Sequence, residues 1–85
     1  MPYIHQDIRK QLLPPPTQWG NVPKDVGELN FVLTTTINQF LDTRIRDYAA
    51  YNSILGVLTA MQHEIYRRLI APYEDQKIQE NGDVF

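Results

Sequence analysis

Eight residues in the C-terminal third carry the charged and aromatic side chains that could do chemistry. Arg67 and Arg68 could donate hydrogen bonds to an anionic group. Glu64 precedes Arg68 by four residues, the spacing of an ion pair within a helix. The alternative interpretation is that the same residues form an ordinary solvated helix face with tyrosines at its edge. We call these residues the polar zone, a candidate ligand or partner surface: His63, Glu64, Tyr66, Arg67, Arg68, Tyr73, Glu74 and Asp75.

The histidine of this zone opens a pattern that resembles a metal site. "HEIYR" at residues 63–67 begins like the zinc-protease motif, in which a second histidine follows the first by four residues. Arg67 takes that place, and His5 is the only other histidine. Cysteine is absent, so thiolate ligands are excluded. We therefore expect no metal site and no cofactor.

The sequence contains few pairs of carboxylates that could hold a magnesium ion. All-α nucleotide hydrolases hold magnesium with acidic pairs one turn apart on facing helices, because magnesium prefers carboxylate oxygens. Here Glu28 stands alone, and arginines follow Glu64 one turn later. Ser53 has no histidine tied to it, and the four glycines form no phosphate loop. No catalytic residue is assigned, and a magnesium-dependent nucleotide hydrolase stays open as an alternative.

Nucleic-acid binding is the second alternative. The net charge is −2, whereas nucleic-acid binders usually carry a basic excess on one face. The arginines form two separate pairs, Arg44/Arg46 and Arg67/Arg68. If "DTRIRD" were the turn of a helix-turn-helix, the following helix would begin "YAAYNSILG", without a basic residue. A nucleic-acid partner is therefore not expected.

The length of 85 residues allows a single domain. A chain of this size buries only about 60–65% of its unfolded surface, so packing or a partner chain must supply the stability. No apolar run approaches the ~20 residues of a membrane span. The N-terminus lacks the features of a signal peptide. We expect a cytoplasmic protein with an N-terminal arm at residues 1–24 and a helical core at residues 25–85.

The elements that position these residues are predicted to be helices. Residues 6–13 can form two turns, and the prolines at 14–16 end them. Trp19 would anchor the extended Pro-rich connector that follows. Asp25 and Glu28 form a capping-box signal for a helix at residues 26–41, whose apolar residues recur every three or four positions.

The strongest periodicity predicts a third helix over residues 48–80. Pro72 cannot donate to the carbonyl of Arg68 but suits the first turn of a new helix. Glu74 and Asp75 would then lie near the positive end of its dipole, and Gly82 would cap its end. The predicted fold is an all-α bundle: a short N-terminal helix, the connector, and two longer antiparallel helices, the last bent at Pro72.

Three motifs give the chain a family resemblance. "MPYI" at the start, "GELNFV" at residues 27–32 and "YRRLIAPYEDQKIQENGDV" at residues 66–84 resemble a family of small uncharacterised proteins of bacteria and tailed phages. The Pro14-Pro15-Pro16 run departs from the family pattern. The resemblance implies a helical fold and a bacterial or phage source, hence the host cytoplasm for a phage protein. It implies no activity and transfers no functional residue.

The third helix also predicts the assembly state. At 1.5 Å per residue it would be roughly 50 Å long, more than one short partner helix can cover. One apolar stripe can meet the second helix, and the other would face water in a monomer. We expect a homo-oligomer, with a dimer favoured and a different protein partner as the alternative. The expected interface residues are Tyr51, Leu55, Tyr66, Ile70 and Tyr73.

Overall fold

The computed structural model describes residues 2–12 and 22–85, and every regular element within these ranges is helical. The elements are α1 (Gln6–Leu12), α2 (Val26–Asp42), α3 (Tyr48–Ile65), a π turn (Tyr66–Ile70) and α4 (Ala71–Asn81). The predicted all-α fold class is confirmed, with helix ends within one or two residues of those expected. The predicted Pro-rich connector and the Trp19 anchor lie outside the described residues.

The described chain divides into two compact units, Pro2–Ile54 and Leu55–Phe85. The first contains α1, α2 and the opening turns of α3. The second contains the rest of α3, the π turn and α4. The polar zone therefore lies wholly within the second unit.

The start of α2 follows the predicted capping signal. Asp25 has an extended backbone, and its Oδ1 accepts a hydrogen bond from the Glu28 amide at 2.8 Å. Glu28 returns the interaction through Oε1, which accepts from the Lys24 amide at 3.1 Å. The predicted Asp25 N-cap is therefore confirmed, and the reciprocal bond of Glu28 reaches the amide one residue before the N-cap position that a regular capping box uses.

Side chains of the connection between α2 and α3 make local contacts with the two helices. Asp47 Oδ1 accepts from the Ala50 amide at 2.9 Å and so caps α3. Arg46 pairs with Asp42 and donates to Asn38 Oδ1 at 2.9 Å. The guanidinium of Arg44 lies 4.0 Å from the centroid of the Phe40 ring. Both arginines of this pair therefore serve local contacts at the helix ends.

Residues 48–81 form helix without a break. The backbones of Ile65, Ile70 and Ala71 all have right-handed helical angles. The Ala71 amide donates to the Tyr66 carbonyl, five residues back, which defines the π turn. Pro72 follows directly, at the start of α4. A helical element therefore begins beside Pro72 as predicted, but it continues α3 through this wider turn and is not a separate helix.

The end of α4 depends on Gly82. Its φ is +91°, and its amide donates to the Ile78 carbonyl at 2.8 Å. Gly82 thus caps the helix as predicted. Its ψ of 149° is extended, so it does not adopt the left-handed helical conformation expected for this cap. Glycine can adopt this conformation because it lacks the Cβ atom that would strain it.

Side-chain burial is slight in the described residues. Leu41 is the one buried hydrophobic residue among them. The apolar residues of α3 and α4 remain half-buried or exposed. No helix within residues 2–12 and 22–85 combines the length and the apolar character that crossing a membrane requires. The second unit therefore has many exposed apolar side chains on its surface.

Candidate functional site

An open groove runs along the end of α3 and into the π turn. Spacings of three and four residues bring Leu58, Met61 and Ile65 to one side of α3. The π turn adds Tyr66 and Ile70. We call this feature the apolar groove; the described residues that line it are Leu58, Met61, Gln62, His63, Ile65, Tyr66 and Ile70.

The apolar groove retains much exposed hydrophobic surface. The exposed fractions of its five large apolar residues range from 37% for Met61 to 51% for Tyr66. Only Gln62 and His63 contribute side-chain polar groups beside the Tyr66 hydroxyl. A surface with this composition can bind another apolar surface, because removing it from water is favourable. It lacks the converging polar groups of a small-molecule site.

The polar zone is only partly gathered at this groove, through His63 and Tyr66. The Glu64 carboxylate meets the Arg67 guanidinium at 3.1 Å. The ion pair thus has a spacing of three residues, where the sequence predicted Arg68 at a spacing of four. Both spacings bring charged side chains together on a helix, so sequence spacing alone did not select between the two arginines.

The remaining members of the polar zone lie on α4. The Lys77 ammonium is 5.6 Å from the centroid of the Tyr73 ring and 3.2 Å from Glu80 Oε2. Glu74 lies in the first turn of α4. That turn continues directly from the π turn and is not a free helix start. The predicted stabilisation of the Glu74 carboxylate by the positive end of a helix dipole therefore does not apply. Asp75 is exposed.

Carboxylates and histidines do not cluster in the part of the chain that the structure describes. Within residues 2–12 and 22–85, no group of three or more such side chains could hold a metal ion. The candidate site is the apolar groove described above.

The predicted interface residues separate into two sets. Tyr66 and Ile70 line the apolar groove. Leu55 and Tyr73 are exposed on the same unit, and Tyr51 is exposed in the first unit. Leu58, Met61 and Ile65 also line the groove but were not among the predicted interface residues. Their periodicity identified one stripe, but periodicity cannot tell which stripe another helix covers.

These features define a class of protein, a short all-α chain whose longest helical segment carries an open apolar groove. The chain belongs to the family described as a domain of unknown function (DUF6899), which matches residues 1–84. That match covers nearly the whole chain, as the resemblance at its two ends suggested. No curated protein and no solved structure matches the chain significantly.

Proposed function

We propose that this protein is a small homo-oligomeric interaction protein, most simply a dimer, in which a second copy covers the apolar groove. The observation that carries this proposal is the half-exposed row of large apolar side chains from Leu58 to Ile70. A surface that meets its own copy across a twofold axis is the commonest way to cover such a row.

The expected energetics are adequate for self-association. Full burial of a large apolar side chain contributes about 1.5–3 kcal/mol, so completing the burial of a half-exposed one contributes on the order of 1 kcal/mol. A twofold pair of grooves brings ten large apolar side chains together. Their combined contribution, roughly 10 kcal/mol, exceeds the lower estimates of the cost of association, about 4 kcal/mol.

The charges of the second unit favour a second copy in the antiparallel direction. Residues 55–70 contain two arginines and one glutamate, a net charge of +1. Residues 71–85 contain one lysine and four carboxylates, a net charge of −3. Parallel copies would place the two acidic ends together, whereas antiparallel copies paired through the groove keep them apart. Such charge repulsion selects orientation more than it changes affinity.

Sedimentation equilibrium at micromolar concentration tests the proposal. We expect a mass of about twice 9.9 kDa, the mass of one chain. A 9.9 kDa species across this concentration range would contradict self-association. The apolar groove would then be assigned to a different protein partner, the alternative that the sequence left open.

The orientation can be tested separately because the natural chain has no cysteine. Single cysteines at Leu58, Ile65 and Ile70 should behave differently in the two arrangements. A disulfide requires Cα atoms within about 7 Å, so an antiparallel pair can link identical positions only near its axis. We expect at most one of the three variants to form a disulfide-linked dimer under mild oxidation. Efficient linkage of all three would indicate parallel copies.

A further inference from the structure

We infer that the π turn sets the register of the docking surface, so that Ile70, and not Leu69, extends the apolar groove beyond Ile65. This inference rests on the proposed self-association through the groove. It assigns a positioning role to a backbone feature and identifies the side chains that meet the second copy.

The hydrogen bond that defines the π turn carries the geometric argument. The Ala71 amide donates to the Tyr66 carbonyl five residues back, where an α-helix would use a spacing of four. The turn therefore accommodates one additional residue. Each residue of an α-helix advances by about 100° around the axis, so the residues after the turn are displaced by about that angle.

The side chains agree with this displacement. In an uninterrupted α-helix, Leu69 would follow Ile65 on the same face at a spacing of four. In the structure, Ile70 lines the apolar groove with Ile65, and Leu69 is not among the described lining residues. Ile70 is 42% exposed, whereas Leu69 is 66% exposed. In the lining of the apolar groove, Ile70 thus takes the place that Leu69 would have in a regular α-helix.

Tyr73 follows the groove at the start of α4. It lies three positions after Ile70 and four after Leu69, so its place does not depend on the register. Tyr73 is exposed and has the Lys77 ammonium near its ring. An amphipathic tyrosine suits the edge of an interface, where its ring is covered and its hydroxyl reaches water.

A comparison of two adjacent substitutions tests the register. Leu69→Glu and Ile70→Glu introduce the same side chain at neighbouring positions of one helix. By sedimentation equilibrium on the full chain, we expect Ile70→Glu to raise the dimer dissociation constant at least about 30-fold. We expect Leu69→Glu to change it less than about threefold, since an exposed position has little contact to lose.

Other outcomes would overturn the inference in recognisable ways. A larger effect of Leu69→Glu would indicate a regular α-helical register, and equal effects would indicate that both residues are covered. Either result leaves the wild-type dimer intact, so self-association would survive the loss of this inference. A wild-type monomer would contradict the proposed function itself. Leu69→Ala and Ile70→Ala form a second pair that should show the same order of effects if a glutamate variant fails to fold.

Discussion

Tenfold dilution should lower the melting temperature of this protein by about 4 °C. Leu41 is the one buried hydrophobic residue in the described part of the chain, so we expect the native state to depend on a second copy. Unfolding is then coupled to dissociation, and its midpoint depends on concentration. With about 0.7 kcal/mol of enthalpy per residue, a dimer would unfold with roughly 120 kcal/mol, which gives this shift. Circular dichroism at 222 nm over a hundredfold concentration range measures it.

Reconcentration provides the control for this experiment. A diluted sample returned to its original concentration should recover its original melting temperature, which would show that dilution acted through mass action. A midpoint that does not change with concentration would contradict coupled folding and assembly. In that case the single chain would be stable with its apolar groove exposed.

The helices could be predicted from the sequence because local chemistry determines where they begin and end. Asp25 and Glu28 satisfy amides at the start of α2, and these contacts require only residues close in sequence. Gly82 likewise caps α4 through its own backbone. The spacing of apolar residues predicted the lengths of α2 and α3. Such signals need no knowledge of distant parts of the chain.

The π turn could not be predicted in the same way. Pro72 indicates that an α-helical hydrogen bond is missing, but a bend, a restart and a wider turn all satisfy that condition. The choice among them changes the angular position of every later residue.

The lining of the apolar groove could be predicted only in part, for a related reason. The sequence showed more apolar surface on the third helix than a single stripe, and Tyr66 and Ile70 from that prediction do line the groove. It could not distinguish stripes that another helix covers from stripes that remain open. That distinction depends on contacts between residues far apart in sequence, which hydrophobic periodicity does not encode.

Ile65→Glu should have the largest effect of any single substitution in the apolar groove. Ile65 lies between Leu58 and Ile70 in the lining of the groove and is half exposed in a single chain. In the proposed dimer it would be covered, so a glutamate there would place a carboxylate in an apolar contact in each copy. An unpaired charge in such a place costs several kcal/mol, which corresponds to at least about a 1,000-fold weaker dimer. Sedimentation equilibrium of the variant should show the 9.9 kDa chain under conditions that give a wild-type dimer.

Val57→Glu is the matched control for this substitution. Val57 lies on the same helix and is also apolar, but it is 55% exposed and is not among the described lining residues of the groove. Glutamate is a better helix former than valine, so the control should not weaken α3. We expect its dimer dissociation constant to stay within about threefold of the wild-type value, because surface substitutions rarely exceed about 0.5 kcal/mol. Equal loss of the dimer in both variants would show that a negative charge anywhere on α3 disrupts assembly. A stable Ile65→Glu dimer would place the contact between copies elsewhere on the chain.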